Sequence, residues 1–173
     1  MNKSYNKEII ANIYTNIIKT SRNKNFYLEN AVDDTVEGRF DIITLHSFVV
    51  FNFFIDAGYK KSTFPQQLFD HMFNDFDSNL REMGFGDIAV NKRMKQFIKA
   101  FYGRIKNYSN GIKDIKDNND STLFRATILK NIYKDNSKSS KNIDFWENYI
   151  TRNISNFKVN TLEQNIENSF NFI

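Results

Sequence analysis

The chain has 173 residues, one proline, six glycines and no cysteine. It is long enough for one domain with a real core, and it is poor in helix-breaking residues. The missing cysteine excludes disulfides, thiolate zinc sites and cysteine nucleophiles. The net charge of +4 favours solubility and falls far short of a nucleic-acid-binding composition.

Read in chain order, the hydrophobic pattern predicts an all-α, single-domain, irregular bundle of six or seven helices spanning 1–173. The first helix, over 3–19, carries Ile9, Ile10, Ile13, Tyr14, Ile17 and Ile18 as one stripe. It reads as a core helix, because a continuous apolar signal region and a small-residue cleavage site are missing. A polar linker is expected over 21–30. The second helix is expected over 34–57, with Asp33 or Asp34 as N-cap, Glu37 near the positive end of its dipole and Gly58 as its stop. Its apolar stretch over 42–55 is broken by His46, Ser47 and Asn52. It is also shorter than the roughly 20 apolar residues that cross a bilayer.

The third helix begins at Phe64-Pro65, where a missing N–H is tolerated, and stops at Gly84. The fourth has the clearest period, through Met94, Phe97, Ile98, Phe101, Ile105, Tyr108 and Ile112. Its strip is about 37 Å long. Gly84 and Gly86 are expected to reverse the chain so that these two helices pack antiparallel. After a polar linker over 116–120, Asp120 or Ser121 caps a fifth helix through Ile132. A loop is expected over 135–141 and C-terminal helices over 142–171. The sixth holds Phe145, Trp146, Tyr149 and Ile150; the seventh starts at Thr161, with Gln164 completing a capping box. No sheet and no solenoid repeat is expected.

Candidate chemistry is sparse. His71 and Asp75 share a helix face near Asp70 and Asp77, but metal sites need a third and fourth ligand. The expected state is an acidic solvated face with a local hydrogen bond from His71. Asp70 or Asp77 with Glu82 is a conceivable acid–base pair, yet no nucleophile accompanies it. Gly84-Phe85-Gly86-Asp87 lacks the Lys-Ser/Thr of a phosphate loop. Enzymatic activity, metals and cofactors are therefore not expected. Lys92, Arg93, Lys95, Lys99, Arg104 and Lys106 make one side of the fourth helix basic. Its aromatics lie on the opposite stripe, which disfavours base stacking. RNA phosphate or an acidic lipid headgroup remains a candidate partner; the alternative is a solvated face paired with the acids of the third helix. Gly38 and Gly103 read as points of close helix approach.

Three separated motifs occur in order. The first is Asp34-Thr35-Val36-Glu37-Gly38-Arg39-Phe40, followed by Leu45-His46. The second is Leu68-Phe69-Asp70, Phe73, Asp77, Leu80-Arg81-Glu82 and Gly84-x-Gly86-Asp87. The third is Val90-x-Lys92-Arg93-Met94-Lys95 with Phe101-Tyr102-Gly103-Arg104 and Tyr108. Over 34–131 this pattern resembles the ubiquinol–cytochrome c chaperone family. Asp41 and Asn91 depart from its commonest residues and read as helix-start or surface positions.

The resemblance implies an all-helical, non-enzymatic chaperone that binds newly made cytochrome b and promotes assembly of ubiquinol–cytochrome c reductase. It implies a location in the cytoplasm, peripheral to a bacterial inner membrane, with the mitochondrial matrix as alternative. Mitochondrial members work with a small helical partner and contact the ribosome near its exit tunnel. The candidate client-binding residues are Arg39, Arg81, Lys92, Arg93 and Arg104, with Glu37, Asp77, Glu82 and Asp87. The alternative for these charges is an internal salt-bridge and capping network. The alternative function is a ribosome- or RNA-binding helical module.

Overall fold

The computed structural model describes residues 7–56, 63–134, 142–157 and 170–173. These form seven helices: α1 (Lys7–Ser21), α2 (Lys24–Leu28), α3 (Val36–Asp56), α4 (Phe64–Glu82), α5 (Asp87–Asn118), α6 (Thr122–Ile132) and α7 (Ile143–Asn156). There is no strand among the described residues. The start of the first predicted helix, Gly58, the 135–141 loop and all but the end of the seventh predicted helix lie outside them.

The apolar run of α3 makes it the central helix. Phe40, Ile42, Leu45, Phe48, Val49, Val50 and Phe54 are buried on all sides of it, and it packs against α1, α5, α6 and α7. A helix buried around its whole circumference must also satisfy its polar side chains. Accordingly Ser47 donates to the Ile43 carbonyl at 2.8 Å, and His46 is held from three directions. Its Nδ1 lies 2.8 Å from the Ile42 carbonyl and 3.0 Å from Ser21 Oγ. A carbonyl only accepts, so Nδ1 carries the proton, and Nε2 accepts from the Tyr149 hydroxyl at 3.0 Å.

The α4–α5 turn behaves as expected. Gly84 has φ +87°, the left-handed region that glycine enters without penalty. The Gly84 N–H reaches the Arg81 carbonyl and the Phe85 N–H the Leu80 carbonyl, which closes the last turn of α4 in a Schellman arrangement. Phe69 meets Tyr102, Phe73 meets Phe101 and Phe76 meets Phe97. Contacts that rise on one helix while they fall on the other make the pair antiparallel.

Several expectations are corrected. The linker over 21–30 contains α2, capped by Asn23, whose side chain accepts the Asn25 N–H. Thr35 rather than Asp33 or Asp34 caps α3, because its Oγ1 accepts the Gly38 N–H at 3.1 Å. The fourth predicted helix starts at Asp87 and runs to Asn118, through most of the expected linker. Gly38 accommodates no second helix: a Cβ there would lie 1.9 Å from the Asp33 carbonyl oxygen, so the residue admits its own preceding loop. Gly103 faces open space. The close helix approach is at Gly111, where a Cβ would lie 2.8 Å from Phe124 Cα.

Candidate functional site

The basic side of α5 divides by residue type. Arg93 and Arg104 turn inward toward α3. Arg93 pairs with Glu37 at 2.6 Å and lies over the Phe85 ring. Arg104 pairs with Asp41 at 2.6 Å and lies over Phe40. Guanidinium stacks on rings and forks to carboxylates, so arginine suits these half-dry positions. The lysines point outward: Lys92, Lys95, Lys99 and Lys106 are exposed and make no ion pair among the described residues. The expected pairing between these lysines and the acids of α4 is absent there.

The other nominated charges are mostly engaged locally. Arg39 pairs with Asp34 at 2.6 Å, both well exposed. Arg81 pairs with Asp77 at 2.6 Å and with Asp87 across the turn, tying the end of α4 to the start of α5. These two carboxylates raise the Arg81 guanidinium above its ordinary pKa. Glu82 and Lys92 are exposed and unpaired among the described residues. Asp41 is fully buried, contrary to its reading as a surface residue. Burial pushes its carboxyl up, opposed by Arg104 and Lys134.

No group of three or more His, Cys, Asp or Glu side chains that could hold a metal occurs among the described residues. His71, expected to make a local hydrogen bond, stands edge-on to Tyr14 with ring centroids 5.2 Å apart. Asp75 accepts from the Tyr14 hydroxyl at 2.7 Å, and Asp70 from Gln66 at 2.7 Å. Burial first and Asp75 second push the Tyr14 phenol above its ordinary range.

A cleft of about 500 Å³ opens between α1, α3 and α4. Its floor is apolar: Phe40, Phe76, Leu80 and Phe97. Phe40 stacks on Phe97 with centroids 4.4 Å apart and planes 9° apart, and Phe76 meets Phe40 edge-on at 5.8 Å. Its rim carries Arg22, Tyr27, Arg39 and Met83 together with the carboxylates Asp34 and Asp75. Met83 is 59% exposed, a flexible thioether beside a rigid aromatic floor. Arg22 is exposed and makes no ion pair among the described residues. Such a cleft has room for a few apolar side chains of a helix or extended segment, with charges of both signs at its edge. Of the nominated residues only Arg39 borders it. Arg22 and Tyr27 went unnoticed because they fall in the presumed linker, and Met83 because it sits in the turn.

The first sequence motif and Leu80 of the second contribute to the cleft, and the motifs lie within a longer match: residues 29–159 fit the family model for ubiquinol-cytochrome C chaperone. The chain belongs to the ubiquinol–cytochrome c chaperone family. The match reaches beyond the 34–131 span seen in the motifs and includes all of α6 and α7. The fold is also similar to the crystal structure of the Cbp3 homolog from Brucella abortus. The TM-score is 0.76 at 27% sequence identity, covering 97% of this chain and 90% of that chain. No curated protein sequence matches at a significant level. The role of this family member is that of a ubiquinol–cytochrome c chaperone. Among the described residues no helix is long and apolar enough to cross a membrane.

Proposed function

We propose that the chain is a non-enzymatic chaperone that captures newly made cytochrome b and promotes its entry into ubiquinol–cytochrome c reductase. It works from the cytoplasm, peripheral to a bacterial inner membrane. The observation that carries this reading is the cleft between α1, α3 and α4. Its aromatic floor suits an apolar client segment, and its rim offers polar ends of that segment Arg22 and Arg39 as well as Asp34 and Asp75. A hydrophobic client held this way is shielded from water while its polar ends stay solvated.

Apart from Arg39, the nominated charges lie outside the cleft and support its walls. Arg81, Asp77 and Asp87 fix the turn beside Met83, and Glu82 adds an exposed charge next to it in the chain. Glu37, Arg93 and Arg104 set the packing of α3 on α5 beneath the floor. The test is a photo-crosslinker placed singly at Arg39 or Met83, with Lys130 on α6 as control, in cells making cytochrome b. Adducts with cytochrome b from the first positions and none from Lys130 support the reading. Equal labelling at all positions, or adducts only with other proteins, overturns it.

A further inference from the structure

The outward face of α5 is more uniform than a solvated helix face requires. At 100° per residue, Lys92, Lys95, Lys99, Lys106 and Lys113 fall within about 60° of one another. They lie opposite the buried stripe of Val90, Phe97, Phe101 and Tyr108. All five are exposed, and none makes an ion pair among the described residues. No acid lies in this sector between Lys92 and Lys113. The acids that flank it are Asp87, engaged by Arg81, Asp114 to one side and Asp117 beyond it. The ladder is straight and about 32 Å long. Two apolar side chains stand on the same edge: Ile88, 88% exposed, and Tyr102, 55% exposed.

We propose that this lysine edge of α5 docks the protein on a bilayer rich in anionic phospholipid headgroups. A straight line of like charges on one rigid helix matches a plane. Lysines near such a surface each add to binding, and their stems let ammonium groups reach the phosphates while apolar neighbours enter the interface. Ile88 is the residue placed to do so, with the exposed edge of Tyr102 beside the lysines. RNA would be served less well. Stacking needs free aromatic faces, whereas Tyr102 already stacks on Phe69, and Ile88 gains nothing from a phosphate backbone. Phe97, on the cleft floor, projects from the face of α5 opposite the lysines, so docking by this edge keeps the cleft lining away from lipid.

This inference deepens the peripheral placement proposed above and is separable from client capture. The full chain is floated with vesicles of phosphatidylcholine alone and of equal parts phosphatidylcholine and phosphatidylglycerol. Flotation is expected with the anionic vesicles only, and it should fall as salt rises. Replacing Lys95, Lys99 and Lys106 together by Gln should weaken partitioning roughly 100-fold, with an unchanged helical spectrum. Ile88→Ser should weaken it further. Retained cytochrome b crosslinking at Arg39 in the triple variant, with flotation lost, supports two separate surfaces. Equal flotation with both vesicle types, or undiminished flotation of the triple variant, overturns the proposal. Release of the protein from vesicles by an RNA oligonucleotide competing for the same lysines would assign the edge to nucleic acid instead.

Discussion

Asp41, on the central helix, has no exposed surface and lies 2.6 Å from the guanidinium of Arg104, whose side chain is 15% exposed. The charge of Asp41 is thus held in the interior by a residue from α5, helped by Lys134 from beyond α6. Burial pushes the Asp41 carboxyl up despite both cations, so the pair joins α3 to α5 without contributing much net stability. Removing one partner of such a pair is far worse than removing both. Arg104→Met alone should cost about 3 kcal/mol, and adding Asp41→Leu should recover most of it. Denaturant unfolding of the single and double variants measures this. A single variant as stable as the parent would contradict it.

His46 makes stability depend on pH in a defined window. Complete burial pushes its pKa from 6.5 down to about 4, with the Ile42 carbonyl opposing. Above 6.5 the ring is neutral whether the chain is folded or not. Between 6.5 and 4 the unfolded chain binds the proton and the folded chain does not, so stability falls with pH, by about 3 kcal/mol in total. Asp41 acts in the opposite sense, since its raised pKa favours the folded state as pH falls. It is common to both proteins if the parent is compared with His46→Asn. The difference in their unfolding free energies should shrink across this window, and a constant difference would exclude His46 as the source.

Two glycines of α5 should respond oppositely to alanine. At Gly103 a Cβ meets nothing within 4 Å, so Gly103→Ala should gain up to about 1 kcal/mol from helix propensity. At Gly111 the same Cβ would press on the backbone of Phe124 at 2.8 Å. Gly111→Ala should lose about 1–3 kcal/mol by forcing α6 away from α5. Melting temperatures that move in the same direction for both would refute the assignment.

Phe101 is 1% exposed and meets Phe51, Phe69 and Phe73. Phe101→Ala should cost about 3–5 kcal/mol. An unchanged melting temperature with lost client binding would move Phe101 from the core to the working surface.

The sequence carried the long elements well. The stripe of Phe97, Phe101, Tyr108 and Ile112 repeats often enough to declare a helix and its buried side, and all four residues are buried. Over the short α2 only Phe26 is buried, and a single residue has no period. The inward turn of Arg93 and Arg104 follows from the position of each on α5, away from the lysines. What they meet depends on which helix lies beneath, and local pattern is silent on that. Asp41 and Lys134 are 93 residues apart, so the burial of Asp41 was invisible to any window along the chain. The cleft shares this origin: its floor was foreseeable as core, but its opening depends on the path of α2.

The ties that close the bundle connect the two ends of the chain. The Tyr133 hydroxyl donates to the Asn30 carbonyl and Tyr149 donates to His46, each across 103 residues. The Trp146 indole N–H donates to the Tyr133 hydroxyl at 2.8 Å, behind Phe26. Synthesis proceeds from the N-terminus, so Phe26 and His46 emerge long before the groups that cover them. Loop closure over such separations is slow and comes late. Late cover of Phe26 and His46 thus comes from α7, whereas α1, α5 and α6 cover the rest of the central helix: a chain lacking Trp146 and Tyr149 would leave this one corner of the core open to water.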